Sequence, residues 1–114
     1  MLREIQEGFF GDLKNVFKKG VIKGAAIETY KNDIKKIVDD ISKEGNNAKG
    51  YDKVIAQLKK IIFDGDDNSE RREYTYYSVV GEIYNSLIKN GINKGIARQI
   101  LGLDQQDLRQ INNM

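Results

Sequence analysis

Apolar side chains recur at intervals of three and four residues along almost the whole chain, and no proline interrupts them. That spacing follows the 3.6-residue turn of an α-helix rather than the two-residue alternation of a half-buried strand. Leu2, Ile5, Phe9, Leu13, Val16 and Phe17 trace a first stripe, and Ile27, Tyr30, Ile34, Ile37, Val38 and Ile41 a second. Between them Gly20 and Gly24 each weaken a helix by about 1 kcal/mol relative to Ala, so a kink or short break is expected there. A third stripe runs through Tyr51, Val54, Ile55, Leu58, Ile61 and Ile62. A fourth carries Tyr76, Val80, Ile83 and Leu87, broadened by Tyr77, Tyr84 and Ile88. Helical stripes bury themselves against one another, so the expected fold is all-α: a compact bundle of about four main helices plus a C-terminal pair of short helices.

The connections carry turn chemistry. "GNNAKG", residues 45–50, reads as a loop in which Gly45 caps the preceding helix in a left-handed conformation. "DGDDNSE", residues 64–70, is a polar loop whose Asp67 and Glu70 have capping-box spacing for the fourth helix. Asn90-Gly91 ends that helix, and short helices are expected over 93–101 and 105–112. "YTYYSVV", residues 74–80, alternates like a strand but lies inside a longer helical stripe. With 114 residues and no repeat or linker, residues 1–114 read as a single domain, with 1–63 as its helical core and 71–112 as a candidate trihelical unit.

Several chemistries are missing from this residue inventory. The chain has no Cys, which removes disulfides and Cys-based zinc sites, and no His, the most frequent general base near neutral pH. Neither G-x-x-x-x-G-K-S/T nor G-x-G-x-x-G occurs. Asp64, Asp66 and Asn68 alternate as in a calcium loop, but Ser69 and Thr75 stand where that loop needs Gly and Glu. The expectation is a protein without enzymatic activity, cofactor or metal. No secretory signal is visible at the start, and no apolar run approaches the ~20 residues that span a bilayer, so no integral membrane segment is expected. The expected location is the cytoplasm of a bacterial or virus-infected cell, and richness in Lys, Ile and Asn suggests an AT-rich genome.

The net charge is +2, evenly spread: residues 1–44 hold nine basic and eight acidic side chains, 45–74 six of each, and 75–114 four and three. Nucleic-acid affinity would therefore need a basic face assembled by folding, not a charged tail. "NGINKGIARQILGLDQQDLRQINN", residues 90–113, supplies the pattern for one. Gly91, Ile92 and Asn93 form a first turn, Leu101, Gly102 and Leu103 a central one, and Asp104 a cap, with Leu108 and Ile111 at inward positions. This spacing resembles the helix-turn-helix family of DNA-binding domains over about the last 40 residues. The resemblance implies a duplex DNA partner, with Gln105, Gln106, Arg109 and Gln110 facing the major groove. Lys89, Lys94 and Arg98 would then hold phosphates.

A second class of function competes with it. "SERREYTYY", residues 69–77, sets Arg71 and Arg72 beside Tyr74, Tyr76 and Tyr77. Such a mixture stacks single-stranded bases, or else the arginines pair with the acidic loop while Tyr76 and Tyr77 keep their hydroxyls in water. Residues 7–26 combine Phe9 and Phe10 with several lysines, a pattern shared by membrane-surface peptides and by helices that build soluble cores. Adjacent Phe9 and Phe10 cannot both face inward, so one is expected to mark a contact surface. Phe9, Phe10, Arg71, Arg72 and Tyr74 are thus candidate protein contacts, and a homodimer is a candidate assembly. Small helical bacteriocin-immunity proteins and phage- or plasmid-encoded inhibitors have this size and character.

Overall fold

A computed structural model describes residues 19–114, which form α1 (Lys19–Thr29), α2 (Lys31–Glu44), α3 (Tyr51–Asp64), α4 (Ser69–Lys89), α5 (Lys94–Leu101) and α6 (Gln105–Asn112). The fold is all-α, with no strand among the described residues, and the 74–80 stretch is helical. The first stripe, including Phe9 and Phe10, lies outside them.

Helix α4 is the centre of the assembly and packs against each of the other five. Its residues Tyr76, Tyr77, Ser78, Val79, Val80 and Gly81 are buried without interruption, followed by Ile83, Tyr84 and Leu87. Six consecutive buried residues cover every face of a helix, so α4 is surrounded rather than merely lying against a core. The buried Ser78 hydroxyl donates to the Tyr74 carbonyl one turn back at 2.8 Å, which satisfies the one polar side chain within that run besides the tyrosines. Around α4, α2 contributes Ile34, Ile37, Val38 and Ile41, and α3 contributes Ile55, Leu58 and Ile62.

Several sequence expectations are corrected. The helix break falls at Tyr30 (φ −104°, ψ 17°), whereas α1 runs straight through Gly20 and Gly24. Hydrogen bonds from Tyr30 N–H to the Ala26 carbonyl (3.0 Å) and from Ile34 N–H to the Tyr30 carbonyl (2.9 Å) carry the chain across a bend rather than a gap. Gly45 has a positive φ but ψ −146°, outside the left-handed helical region, and opens a 3-10 turn, Gly45–Asn47. The loop beyond is closed by the Tyr51 hydroxyl, which donates to the Glu44 carboxylate. Asp67 and Glu70 form no capping box. Asn68 caps α4, accepting from Arg71 N–H at 2.8 Å, because Asp66 is occupied by the Arg71 guanidinium and by Asn68 N–H. In α3, Val54 and Ile61 share the apolar period but face outward, Ile61 60% exposed.

Candidate nucleic-acid interface

The C-terminal 25 residues are built by caps. Gly91 (φ +99°) turns the chain out of α4, with its N–H on the Ile88 carbonyl and that of Ile92 on the Leu87 carbonyl, both at 3.0 Å. Asn93 then caps α5, its side-chain oxygen accepting from Gly95 N–H at 2.8 Å. Ala97, Ile100 and Leu101 form the buried face of α5, while Lys94 and Arg98, one turn apart, lie on the exposed one. At the end of α5, Gly102 takes the left-handed conformation (φ +70°, ψ 35°), and Leu103 N–H returns to the Arg98 carbonyl at 3.0 Å. Space makes the same demand as the dihedral. A Cβ on Gly102 would lie 2.8 Å from Asp52 Cβ, so the bend is pressed onto the first turn of α3.

Asp104 starts α6 through a reciprocal capping box: it accepts from Asp107 N–H at 2.8 Å, and Asp107 accepts from Asp104 N–H at 3.0 Å. The other Asp107 oxygen accepts from the Tyr77 hydroxyl at 2.8 Å. Both oxygens of this carboxylate are therefore engaged inward, toward α4 and the cap. The Asp107 N–H, with smaller help from the Asp107 side chain, the Gln106 N–H and Arg98, holds the Asp104 carboxyl below the usual carboxylate range. Further along, Ile111 packs on Gly81, where an added Cβ would come within 3.2 Å of Ile111 Cγ2. Tyr77, burial and the Asp107 bond together, has its hydroxyl pushed up in pKa, and burial raises Tyr76 to about 12. The two tyrosines are thus buried, and Tyr77 bonds to protein instead of leaving its hydroxyl in water.

The residues assigned to a DNA surface lie as follows. Lys89, Lys94, Arg98, Gln105, Gln106 and Arg109 are exposed, and Gln110 is half-buried at the margin of α6. Gln105 and Arg109 are one turn apart and so share a stripe, with Gln106 beside them. Asn112, seven residues from Gln105, is exposed on that same stripe and was missed in the sequence, although its i+7 position marks it. Arg98 also donates from Nε to the Leu103 carbonyl at 3.2 Å, which fixes its stem at the bend. Lys89, Lys94 and Arg109 make no side-chain hydrogen bond or ion pair among the described residues.

The residues assigned to a protein or single-strand surface are largely committed elsewhere. Arg71 grips Asp66 with two bonds, Nε at 2.6 Å and Nη2 at 2.9 Å. That grip holds the Asp66 carboxyl down to about 2. Arg72 lies over the Phe63 ring at 4.9 Å, and Lys59 lies 5.4 Å from that ring and 5.1 Å from Tyr76. Tyr74 is half-buried. The basic and aromatic groups here bind one another, joining the end of α3 to the start of α4. Among the described residues no cluster of His, Cys, Asp or Glu could hold a metal ion, and no helix is long and apolar enough to cross a membrane.

Compared with protein-family models, with curated proteins and with solved structures, the chain matches none.

Proposed function

We propose that the protein is a small, non-enzymatic regulatory protein of the cytoplasm that binds duplex DNA through α5, the bend at Gly102 and α6. The observation that carries the reading is the outward stripe of Gln105 and Arg109, with Gln106 beside it, on a short capped helix, in a segment whose Lys89, Lys94 and Arg98 are also exposed. Carboxamides and guanidinium groups pair in plane with adenine and guanine edges, while lysines supply sequence-independent phosphate contacts. Asp107, the carboxylate on α6 that would oppose phosphates, spends both oxygens on internal bonds. Fluorescence anisotropy with duplex of random sequence at low salt tests the reading. Binding is expected, Lys94→Ala weakens it for every sequence and lowers the salt slope by about one, and Arg109→Ala relaxes base preference at a cost of about 1–3 kcal/mol. Absence of binding to any duplex contradicts it.

A second reading, a helical module that inhibits or protects a partner protein, has its own support. Val54 and Ile61 stand two turns apart on one face of α3 and are exposed. Exposed apolar groups on a single helix face are what a partner helix covers. Recovery of one stoichiometric protein partner, lost in Ile61→Asp, supports this reading. Recovery unchanged in that variant counts against it.

A further inference from the structure

The connection between α2 and α3 does more than span a gap. Together with one flank of α5 it walls a cleft of about 420 Å³, within the roughly 300–1,000 Å³ of small-molecule sites. The apolar residues of its lining are Ile96 and Ile100 of α5 and Ala48 of the connection, of which Ile100 and Ala48 are buried and Ile96 is half-buried. The polar side chains of the lining are three carboxamides, Asn46, Asn47 and Gln99, with one cation, Lys49, and one anion, Asp52. None of these five side chains makes a hydrogen bond or ion pair among the described residues.

We propose that this cleft binds a nucleoside monophosphate. Half-buried Ile96 gives a heterocycle an apolar contact. Each carboxamide presents a donor and an acceptor in one plane, the arrangement that pairs with the edge of a base. Lys49 supplies a point charge for the phosphate. Asp52 accepts from sugar hydroxyls and repels additional phosphates, so a monophosphate binds better than the corresponding triphosphate. Asp52 also abuts Gly102, so the ligand sits one residue from the bend between α5 and α6. This site is independent of the duplex reading and stands or falls separately.

The test is a titration of the 15N-labelled protein with adenosine, guanosine, cytidine and uridine monophosphates, each followed by amide NMR. At least one is expected to saturate with Kd below about 1 mM, moving the side-chain amides of Asn46, Asn47 and Gln99. Lys49→Ala weakens that monophosphate about tenfold or more, leaves the parent nucleoside unaffected, and keeps a wild-type spectrum elsewhere. Three results overturn the proposal: no saturable shift with any of the four up to about 5 mM, shifts confined to residues outside the cleft, or unchanged monophosphate affinity in Lys49→Ala.

Discussion

Gly102 and Gly24 are the same residue under opposite constraints. Gly102 combines φ +70° with a 2.8 Å approach of any Cβ to Asp52, whereas Gly24, inside α1, has open space around it. Left-handed backbone costs a non-glycine residue about 1–2 kcal/mol, so Gly102→Ala is expected to destabilise by at least that much in denaturant titrations. Gly24→Ala is expected to stabilise by up to about 1 kcal/mol. The sequence distinguishes Gly102, in a turn, from Gly24, a helix-weakening position where a kink or break is expected, but only the fold shows that Gly24 is tolerated inside a continuous helix. The Asp66–Arg71 pair carries an acid signature. Arg71 first, then the Asn68 N–H, lowers the folded carboxyl from 3.8 to about 2, so its stabilisation is complete above the ordinary value and is lost as pH falls through about 2. The pair is partly exposed and screened, so Arg71→Ala is expected to cost no more than about 1 kcal/mol at neutral pH while flattening the acid limb of a stability–pH curve.

Helix α6 is short, and eight residues do not hold a helix together in isolation. Three attachments hold it: the capping box, Ile111 on Gly81, and the bond from Tyr77 to Asp107. Tyr77→Phe leaves the box intact and removes the third. It is expected to cost about 1.5 kcal/mol or more and to speed amide exchange in 108–111 ahead of α4. The same attachment is sensitive to alkali. Burial and Asp107 favour the protonated Tyr77 hydroxyl, so its contribution is full below the ordinary tyrosine value near 10 and declines as pH rises above it; Tyr76, raised less, to about 12, ionises before Tyr77. The apolar stripes made the helices legible, and Gly102 and Asp104 marked the bend and cap correctly. The start of α4 was misread because Asp66, Asp67 and Asn68 are equivalent caps locally, and the choice is made by Arg71 reaching back to Asp66.

For the whole molecule, the decisive fact is that α4 is enclosed by the other five helices, which puts α5 and α6 on its surface with one face each outward. The enclosure was partly legible: the run Tyr76–Gly81 contains no charged residue, as expected of a helix covered on all sides. The outward position of Val54 and Ile61 was not legible, because the period that buries Ile55 and Ile62 continues through them and only long-range packing shows that nothing among the described residues covers that face. The central proposal is that duplex DNA binds on the outer faces of α5 and α6. Amide and side-chain NMR mapping with a random-sequence duplex at low salt tests it most directly. The account predicts shifts concentrated at Lys94, Arg98, Gln105, Gln106 and Arg109, fading as salt is raised; a duplex that leaves those residues unmoved, or that perturbs the Val54–Ile61 face instead, contradicts it.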